Sequence, residues 1–171
     1  MKTCKLLREQ VAADTGSKKA ELVLKNAQIV NVFTQSVETG DIAIEGGYIV
    51  GIGNYEGITE KDLGGAYVCP GFLDGHIHIE SSMTSPGEFE RAVVPHGTIA
   101  VITDPHEIAN VAGTAGIRFM MQSAQKLDLD VYFMLPSCVP ATDLDESGAE
   151  LLARDLEPFY ADEKVLGLAE M

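Results

Sequence analysis

Two histidines separated by one residue form the clearest chemical pattern in the sequence. His76 and His78 lie in the stretch VCPGFLDGHIHIESSM, which spans residues 68–83. If this stretch is a strand, both side chains point to the same face, about 6.5–7 Å apart along the chain. Two imidazoles at that spacing can bind one divalent metal ion, and such an ion can promote hydrolysis. The alternative is a pair of packed or solvated histidines with no special role.

The residues around this pair place it at the carboxyl end of a strand. A short apolar run precedes the pair, and Glu80, Ser81 and Ser82 follow it as the start of a loop. In parallel α/β folds, catalytic groups gather at the carboxyl ends of strands. Asp74, on the same strand face as His76, could orient a metal-bound histidine or only cap the strand. Likewise, the loop residues could contact a substrate or only solvate the turn.

A second polar group follows another apolar run. Asp104, Pro105, His106 and Glu107 come directly after residues 98–103, which read as a buried strand. We therefore expect them at the same edge of the sheet as the histidine pair. His106 and Glu107 are candidate catalytic residues that could hold a substrate or relay a proton. The alternative is a helix start, with Asp104 as N-cap, Pro105 at the first position and Glu107 at the third.

Strands and helices must alternate to position these groups. The predicted strands are 66–78, 98–103, 130–135 and 165–170, and the predicted helices are 86–94, 109–127 and 147–160. Alternating units of this kind build a parallel sheet with right-handed crossovers. An eight-stranded α/β barrel takes about 250 residues. We therefore expect an α/β fold, the first half of a (β/α)8 TIM barrel, in a chain truncated after about strand 4.

The N-terminal part of the chain has a different pattern. The first residues are polar and mixed in charge, with a weak helix signal around residues 5–13. Short β runs follow, and Gly46-Gly47 between two of them predicts a hairpin. About 45 residues bury too little surface to be stable alone, so we expect a small antiparallel sheet that needs a partner. The predicted divisions are an N-terminal segment at 1–20, a β unit at 21–66 and a partial barrel at 67–171.

Composition excludes several classes of partner. The 171 residues contain 12 Lys and Arg against 26 Asp and Glu, a net charge of −14, which argues against nucleic acid or an anionic membrane. No run of about 18 apolar residues predicts a membrane span, and the N-terminus lacks the apolar core of a secretory signal. Cys4, Cys69 and Cys138 are too widely spaced for a disulfide framework or a CxxC metal site. We expect a reducing cytoplasm, with Cys69 and Cys138 as small buried apolar residues.

Three sequence stretches resemble a known superfamily. PGFLDGHIHIESSM is similar to the first-strand motif of the amidohydrolase superfamily, PGxxDxHxH. IESSM, TDPHEIANVAG and the terminal GLAEM, in this order, resemble the adenine-deaminating family within it, and the resemblance runs from about Glu21 onward. It implies hydrolytic deamination of adenine to hypoxanthine and ammonia by a homo-oligomeric enzyme. It also implies that the β unit pairs with strands from a distant C-terminal segment.

The same resemblance implies a metal centre. In related enzymes the end of strand 4 carries a carboxylated lysine or a glutamate that bridges two metals. Glu170 takes that place, because Lys164 precedes the strand and should lie at its other end. The implied ligands are His76, His78 and Glu170, in a binuclear site for Mn²⁺ or Fe²⁺, with Zn²⁺ also suited. The alternative for Glu170 is a solvated carboxylate.

Two other functions fit parts of the pattern. Another amidohydrolase could act on a cyclic amide, although a lysine at the end of strand 4 would be expected and Glu170 stands there instead. The chain could also be a non-catalytic fragment or structural subunit, because half a barrel leaves open strand edges. Further ligands, in this superfamily two histidines and an aspartate, would come from later strands. We therefore expect the chain alone to be inactive.

Overall fold

The computed structural model describes residues 3–170, and the chain divides between Pro70 and Gly71 into two units. In the first unit a helix precedes a mixed sheet. The described elements are α1 (Cys4–Asp14), β1 (Ala20–Asn31), β2 (Ser36–Glu45), β3 (Tyr48–Gly53), β4 (Gly57–Asp62) and β5 (Tyr67–Val68). The strand order is β3-β2-β1-β4, and β5 also pairs with β1. The weak helix signal near the N-terminus is confirmed.

The first sheet is only partly antiparallel. The pairs β1–β2 and β2–β3 are antiparallel, whereas β4 and β5 run parallel to β1, so the prediction of an antiparallel sheet is wrong for these two strands. The predicted hairpin at Gly46 and Gly47 is confirmed, and their φ values of 58° and 77° suit a type I′ turn. Strand β4, GITEKD, is mostly polar and exposed. Its pairing with β1 therefore has no signal in the local pattern.

The second unit alternates parallel strands with helices. Its elements are β6 (Phe72–Ile77), α2 (Pro86–Val93), β7 (Thr98–Thr103), α3 (His106–Ala124), β8 (Asp130–Leu135), α4 (Ala153–Leu156) and β9 (Val165–Leu168). Short 3-10 turns lie at Ile79–Ser82, Val94–His96 and Glu157–Ala161. The strand order is β6-β7-β8-β9, and every neighbouring pair is parallel. The predicted α/β class is confirmed.

The helices cover the sheet of the second unit through two apolar clusters, and the first of them joins α2 and α3 to the central strands. Val101 of β7 and Phe133 of β8 are buried and pack with Phe89 of α2 and Met120 of α3. By contrast, the edge strands β6 and β9 keep large apolar side chains exposed: Phe72, Leu73, Leu166 and Leu168. The sheet is thus anchored at its centre, with apolar surface free on both outer strands.

The helix predicted over residues 147–160 is wrong for its first half. Residues 136–152 form a loop, and α-helix is confined to Ala153–Leu156 before the 3-10 turn. The loop bonds to α3 instead: Gly148 N and Ser147 Oγ donate to Asn110 O at 2.8 and 3.0 Å. These long-range contacts satisfy polar groups that a helix would have paired locally.

Helix α3 is interrupted where this loop meets it. Gly113 has φ 57° and ψ −140°, a backbone conformation that residues other than glycine rarely adopt. A Cβ at this position would lie 3.1 Å from the Cβ of Ala149 in the loop. Residues 106–112 of α3, which include two candidate site residues, therefore form a separate helical segment that contacts the loop. No helix in residues 3–170 has the length and apolar character that a membrane crossing needs.

Candidate metal centre

His76, His78 and Glu170 converge at the carboxyl ends of β6 and β9. His76 lies on β6 and His78 directly follows it, while Glu170 stands two residues after β9. The two Nε2 atoms are 3.2 Å apart. Glu170 Oε2 lies 3.3 Å from His76 Nε2, and its Oε1 lies 3.4 Å from His78 Nε2. One ligand atom from each residue thus falls within 4.8 Å of the others.

This donor set suits a divalent cation. Two imidazole nitrogens and a carboxylate are ligands that Zn²⁺, Mn²⁺ and Fe²⁺ accept. Two Nε2 atoms facing each other at 3.2 Å need a proton or a cation between their lone pairs. The carboxylate of Glu170 adds negative charge at the same point. The three side chains therefore fit a metal ion by chemistry as well as by distance.

Glu107 lies on the other side of the His78 ring. Its Oε2 is 3.2 Å from His78 Nδ1, and its Oε1 accepts a hydrogen bond from Ser81 Oγ at 2.8 Å. Burial opposes ionisation of Glu107, but the Ser81 bond and the nearby histidines lower its pKa. Burial also disfavours the charged form of His78, yet the carboxylates around it, Glu107 first, raise its pKa.

His106 stands beside the centre, held on both ring nitrogens. Its Nδ1 is 3.4 Å from Asp104 Oδ2, and its Nε2 is 3.2 Å from Cys138 O. Its ring centroid lies 6.4 Å from that of His78. The Asp104 side chain is fully buried, and burial raises its pKa despite the neighbouring His106. Asp104 and Cys138 therefore orient His106 next to the three converging side chains.

The alternative in which Asp104 caps α3 is wrong. The N-cap residue is Pro105, and no side-chain cap bond forms there. Glu80 supplies the acceptor from another element, because its Oε1 accepts the Ile108 backbone N–H at 3.2 Å. Burial raises the pKa of Glu80. Glu80 thus ties the turn after β6 to the start of α3.

Asp74 contacts the backbone of the strand end. Its Oδ1 accepts the His76 N–H at 3.1 Å, and this bond is to the main chain, not to the imidazole. Lys164 lies at the opposite end of the strands, where its Nζ is 2.6 Å from Asp130 Oδ1 at the start of β8. The expectation that Lys164 is far from the ligand end is confirmed.

The cysteine expectations need correction. Cys69 is exposed, so its prediction as a buried apolar residue is wrong. Cys138 is half-buried and belongs to the polar surroundings of the site: its carbonyl contacts His106, and its Sγ lies 3.6 Å from Glu170 O. Ser137 Oγ donates to the Glu170 carbonyl oxygen at 3.3 Å. Sequence reasoning missed this pair, although its position just after β8 was a usable signal.

Comparison with known proteins adds a family and several relatives. The model of the amidohydrolase family matches residues 67–169. Adenine deaminase 2 of Carboxydothermus hydrogenoformans is 56% identical over 98% of this chain and 29% of its own length. Adenine deaminase of Geobacillus kaustophilus is 58% identical over 96% of this chain and 29% of its own. The chain therefore spans about 29% of the length of these curated relatives.

One of the matching solved structures illustrates the shared fold. An N-acyl-D-glutamate deacylase from Bordetella bronchiseptica, complexed with zinc and a phosphonate inhibitor, matches with a TM-score of 0.52 at 18% identity. The match covers 69% of this chain and 30% of the deacylase. At this identity the likeness concerns the arrangement of strands and helices alone.

Proposed function

Because the chain belongs to the amidohydrolase family, we propose that it supplies part of the metal centre of an enzyme that hydrolyses adenine to hypoxanthine and ammonia. The observation that carries the proposal is the convergence of His76, His78 and Glu170 within 4.8 Å at the carboxyl ends of parallel strands. Relatives named adenine deaminase support the substrate. Since the chain spans about 29% of their length, the activity is proposed for a protein of their size that contains it.

The fold proposed for such a protein is a (β/α)8 barrel to which the second unit contributes four strands. The parallel order β6-β7-β8-β9 and the exposed apolar residues on both outer strands support it, because further strands would cover them. We propose the divisions of the sequence pattern, a segment at 1–20, a β unit at 21–66 and a partial barrel at 67–171, with the last boundary moved to lie between Pro70 and Gly71 because β5 pairs with β1.

His76 and His78 would hold the metal through Nε2, and Glu170 through its carboxylate. Membership of the family supports a divalent ion. We propose that Glu170 bridges two ions in a binuclear centre of Mn²⁺ or Fe²⁺, with Zn²⁺ also suited, because a carboxylate has two oxygens to offer. When bound, such an ion supplies the Lewis acidity that makes hydroxide available near neutral pH.

The reaction adds water at C6 of adenine and releases ammonia, so a proton must pass from the water to the leaving amine. His106 is the candidate for holding the purine or moving this proton, because Asp104 and Cys138 fix its ring beside the centre. Glu80 and Ser81 are candidate substrate neighbours, but their contacts in the described chain are with α3. Asp74 would stabilise the strand end that presents His76.

The test is to express a protein of the relatives' length containing this sequence, remove metal, and reload it with Mn²⁺, Fe²⁺ or Zn²⁺. We expect metal-dependent loss of adenine by ultraviolet absorbance, with hypoxanthine and ammonia formed in equal amounts. Metal-dependent hydrolysis of a dihydropyrimidine-type ring without adenine turnover would contradict the proposal and favour a cyclic amidase. The 171-residue chain, assayed in parallel, is expected to give no turnover.

A further inference from the structure

The Nδ1 atom of His78 is the ring nitrogen that the proposed metal site does not use. His78 Nε2 faces His76 and Glu170, so Nδ1 is on the opposite side of the ring. Nδ1 is buried and has no hydrogen-bond partner by strict geometry within residues 3–170, although a hydrogen bond to the Asp104 backbone helps to raise the pKa of His78. Glu107 Oε2 nevertheless lies 3.2 Å from it. A small rotation of either side chain would complete a hydrogen bond between them.

Glu107 is held in this place by the turn that follows His78. Ser81, in the 3-10 turn, donates to Glu107 Oε1 at 2.8 Å. Glu80 in the same turn accepts the Ile108 N–H at 3.2 Å. Two hydrogen bonds therefore join this turn to the first turn of α3, and they leave Glu107 Oε2 free to face His78.

The other carboxylates near the centre are engaged elsewhere. Asp74 accepts from the backbone of His76, and Asp104 pairs with His106. Glu170 faces the Nε2 side of both histidines. Among the described carboxylates near the site, Glu107 is the one recorded within hydrogen-bonding distance of His78 Nδ1.

We infer that Glu107 is a positioning residue, which accepts a hydrogen bond from His78 Nδ1–H and is itself oriented by Ser81. This bond fixes the tautomer in which the Nε2 lone pair is free for a metal ion. Partners of this kind typically change metal affinity about 10–100-fold when removed. The inference deepens the proposed function and rests on it, because it requires His78 to be a ligand.

The experiment measures the Zn²⁺ affinity of a protein of the relatives' length that contains this sequence, by competition with a chromophoric chelator. Glu107→Gln keeps the shape of the side chain and removes its charge, and we expect about 10–100-fold weaker binding. Ser81→Ala should weaken binding less, since Glu107 remains. The matched control is Glu146→Gln at an exposed loop position, which should bind as the unsubstituted chain does.

A second readout follows the His78 tautomer by ¹⁵N–¹H correlation spectra of the metal-free chain, with His78→Ala used for assignment. We expect the Nδ1–H form in the unsubstituted chain and a shift toward Nε2–H in Glu107→Gln. A role limited to holding α3 in place would leave the tautomer unchanged. Circular dichroism checks that each variant is folded.

The outcomes separate this inference from the metal site itself. Unchanged Zn²⁺ affinity in Glu107→Gln, with binding lost in His78→Ala, overturns the positioning role and leaves the proposed function standing. No Zn²⁺ binding by the unsubstituted protein of the relatives' length overturns the metal centre and this inference with it. If Glu107→Gln fails to fold, Ser81→Ala decides: weaker binding supports the role of Glu107, and unchanged binding overturns it.

Discussion

Buried carboxylates are treated differently in the two units of the chain. In the first unit, Asp41 and Glu45 have side chains that are 9% and 8% exposed, and each is paired with a lysine. In the second unit, Asp104, Glu107 and Glu170 at the carboxyl ends of the strands face histidines, and no lysine or arginine within residues 3–170 forms a salt bridge with them.

The carboxylates of the first unit are fully satisfied. Asp41 bonds to Lys25 Nζ and accepts the backbone N–H groups of Asn26 and Tyr55 at 3.1 and 3.3 Å. Burial alone would raise the pKa of Asp41, but these bonds and the charge of Lys25 lower it. Glu45 shows the same result, since its bond from the Lys18 ammonium lowers its pKa against the effect of burial. Such pairs serve to stabilise the sheet.

Several buried side-chain oxygens of the second unit have no hydrogen-bond partner within the described residues. Asp104 Oδ1, Glu80 Oε2 and Thr103 Oγ1 are buried without hydrogen-bond partners in the described chain. Burial raises the pKa of both Asp104 and Glu80. Burying an unpaired acidic group costs free energy, so the arrangement is unfavourable unless something positive joins it. Acidic groups with perturbed pKa values that gather at strand ends are typical of functional sites. The difference between the units therefore indicates a structural role for the buried carboxylates of the first unit and a functional role for those of the second.

The largest expected effect is loss of metal from the second unit. His76→Ala and His78→Ala should each remove most bound Zn²⁺ or Mn²⁺, because one donor of three is lost. The matched control is His96→Ala, an exposed histidine outside the converging set, which should keep its metal. Elemental analysis of folded, dialysed protein measures the outcome. Normal metal content in both site variants would remove the basis for treating the two units differently.

Glu170→Gln tests the proposed bridging role in a protein of the relatives' length. A neutral amide is a poor bridge between two cations, so we expect metal stoichiometry to fall to one or below. Elemental analysis with equilibrium dialysis gives the number of ions per chain. Two tightly held ions in this variant would show that Glu170 does not bridge.

Asp41→Asn tests the structural pair of the first unit. Losing hydrogen bonds to a charged group should lower the free energy of unfolding by about 1.5–3 kcal/mol. Urea denaturation of the metal-free chain followed by circular dichroism measures the change, and Asp143→Asn at an exposed loop position is the control. Zn²⁺ affinity should be unchanged. A variant as stable as its parent would contradict the structural assignment of Asp41.

Acid should weaken the first unit through the same groups. The pKa of Asp41 and of Glu45 is lowered in the fold, so their contribution is complete above the unfolded-state pKa and is lost as pH falls below about 4. We expect the melting temperature of the chain to drop between about pH 5 and pH 2. The drop should be smaller in Asp41→Asn, and an equal drop in both proteins would show that Asp41 is not responsible.

The smallest expected effect is a gain in stability, opposite in sign to the loss expected for Asp41→Asn. Asp104 has a raised pKa, so its ionised form destabilises the metal-free fold at neutral pH. Asp104→Asn should raise the free energy of unfolding at pH 7 by about 0.5–1 kcal/mol, the usual gain when a functional strain is removed. Urea denaturation at pH 7 and at pH 3 should show the gain only at pH 7. A loss above about 1 kcal/mol would place Asp104 with the structural carboxylates.

Local sequence patterns determined the strands of the second unit. The apolar runs at Thr98–Thr103 and Asp130–Leu135 match β7 and β8 to the residue, because short buried strands bounded by turn residues carry their own signal. The spacing of His76 and His78 indicated a metal-binding pair, and the resemblance to the amidohydrolase superfamily implied Glu170 as a further ligand, which the structure places beside them. These conclusions depend on the two-residue repeat of a strand and on the alternation of strands and helices, and both can be read from residues that are close in sequence.

Tertiary structure alone decided how the site is supported. Glu107 reaches His78 and Ser81, and Glu80 rather than Asp104 accepts a backbone N–H at the start of α3, through contacts between residues 26–29 positions apart. The sequence likewise carried no sign of β4 or of the loop that replaces the first half of the helix predicted over residues 147–160. Such contacts depend on the register of parallel strands and on side-chain directions across the sheet. Local propensity determines what each segment can form, whereas the packing of segments determines which side chains meet.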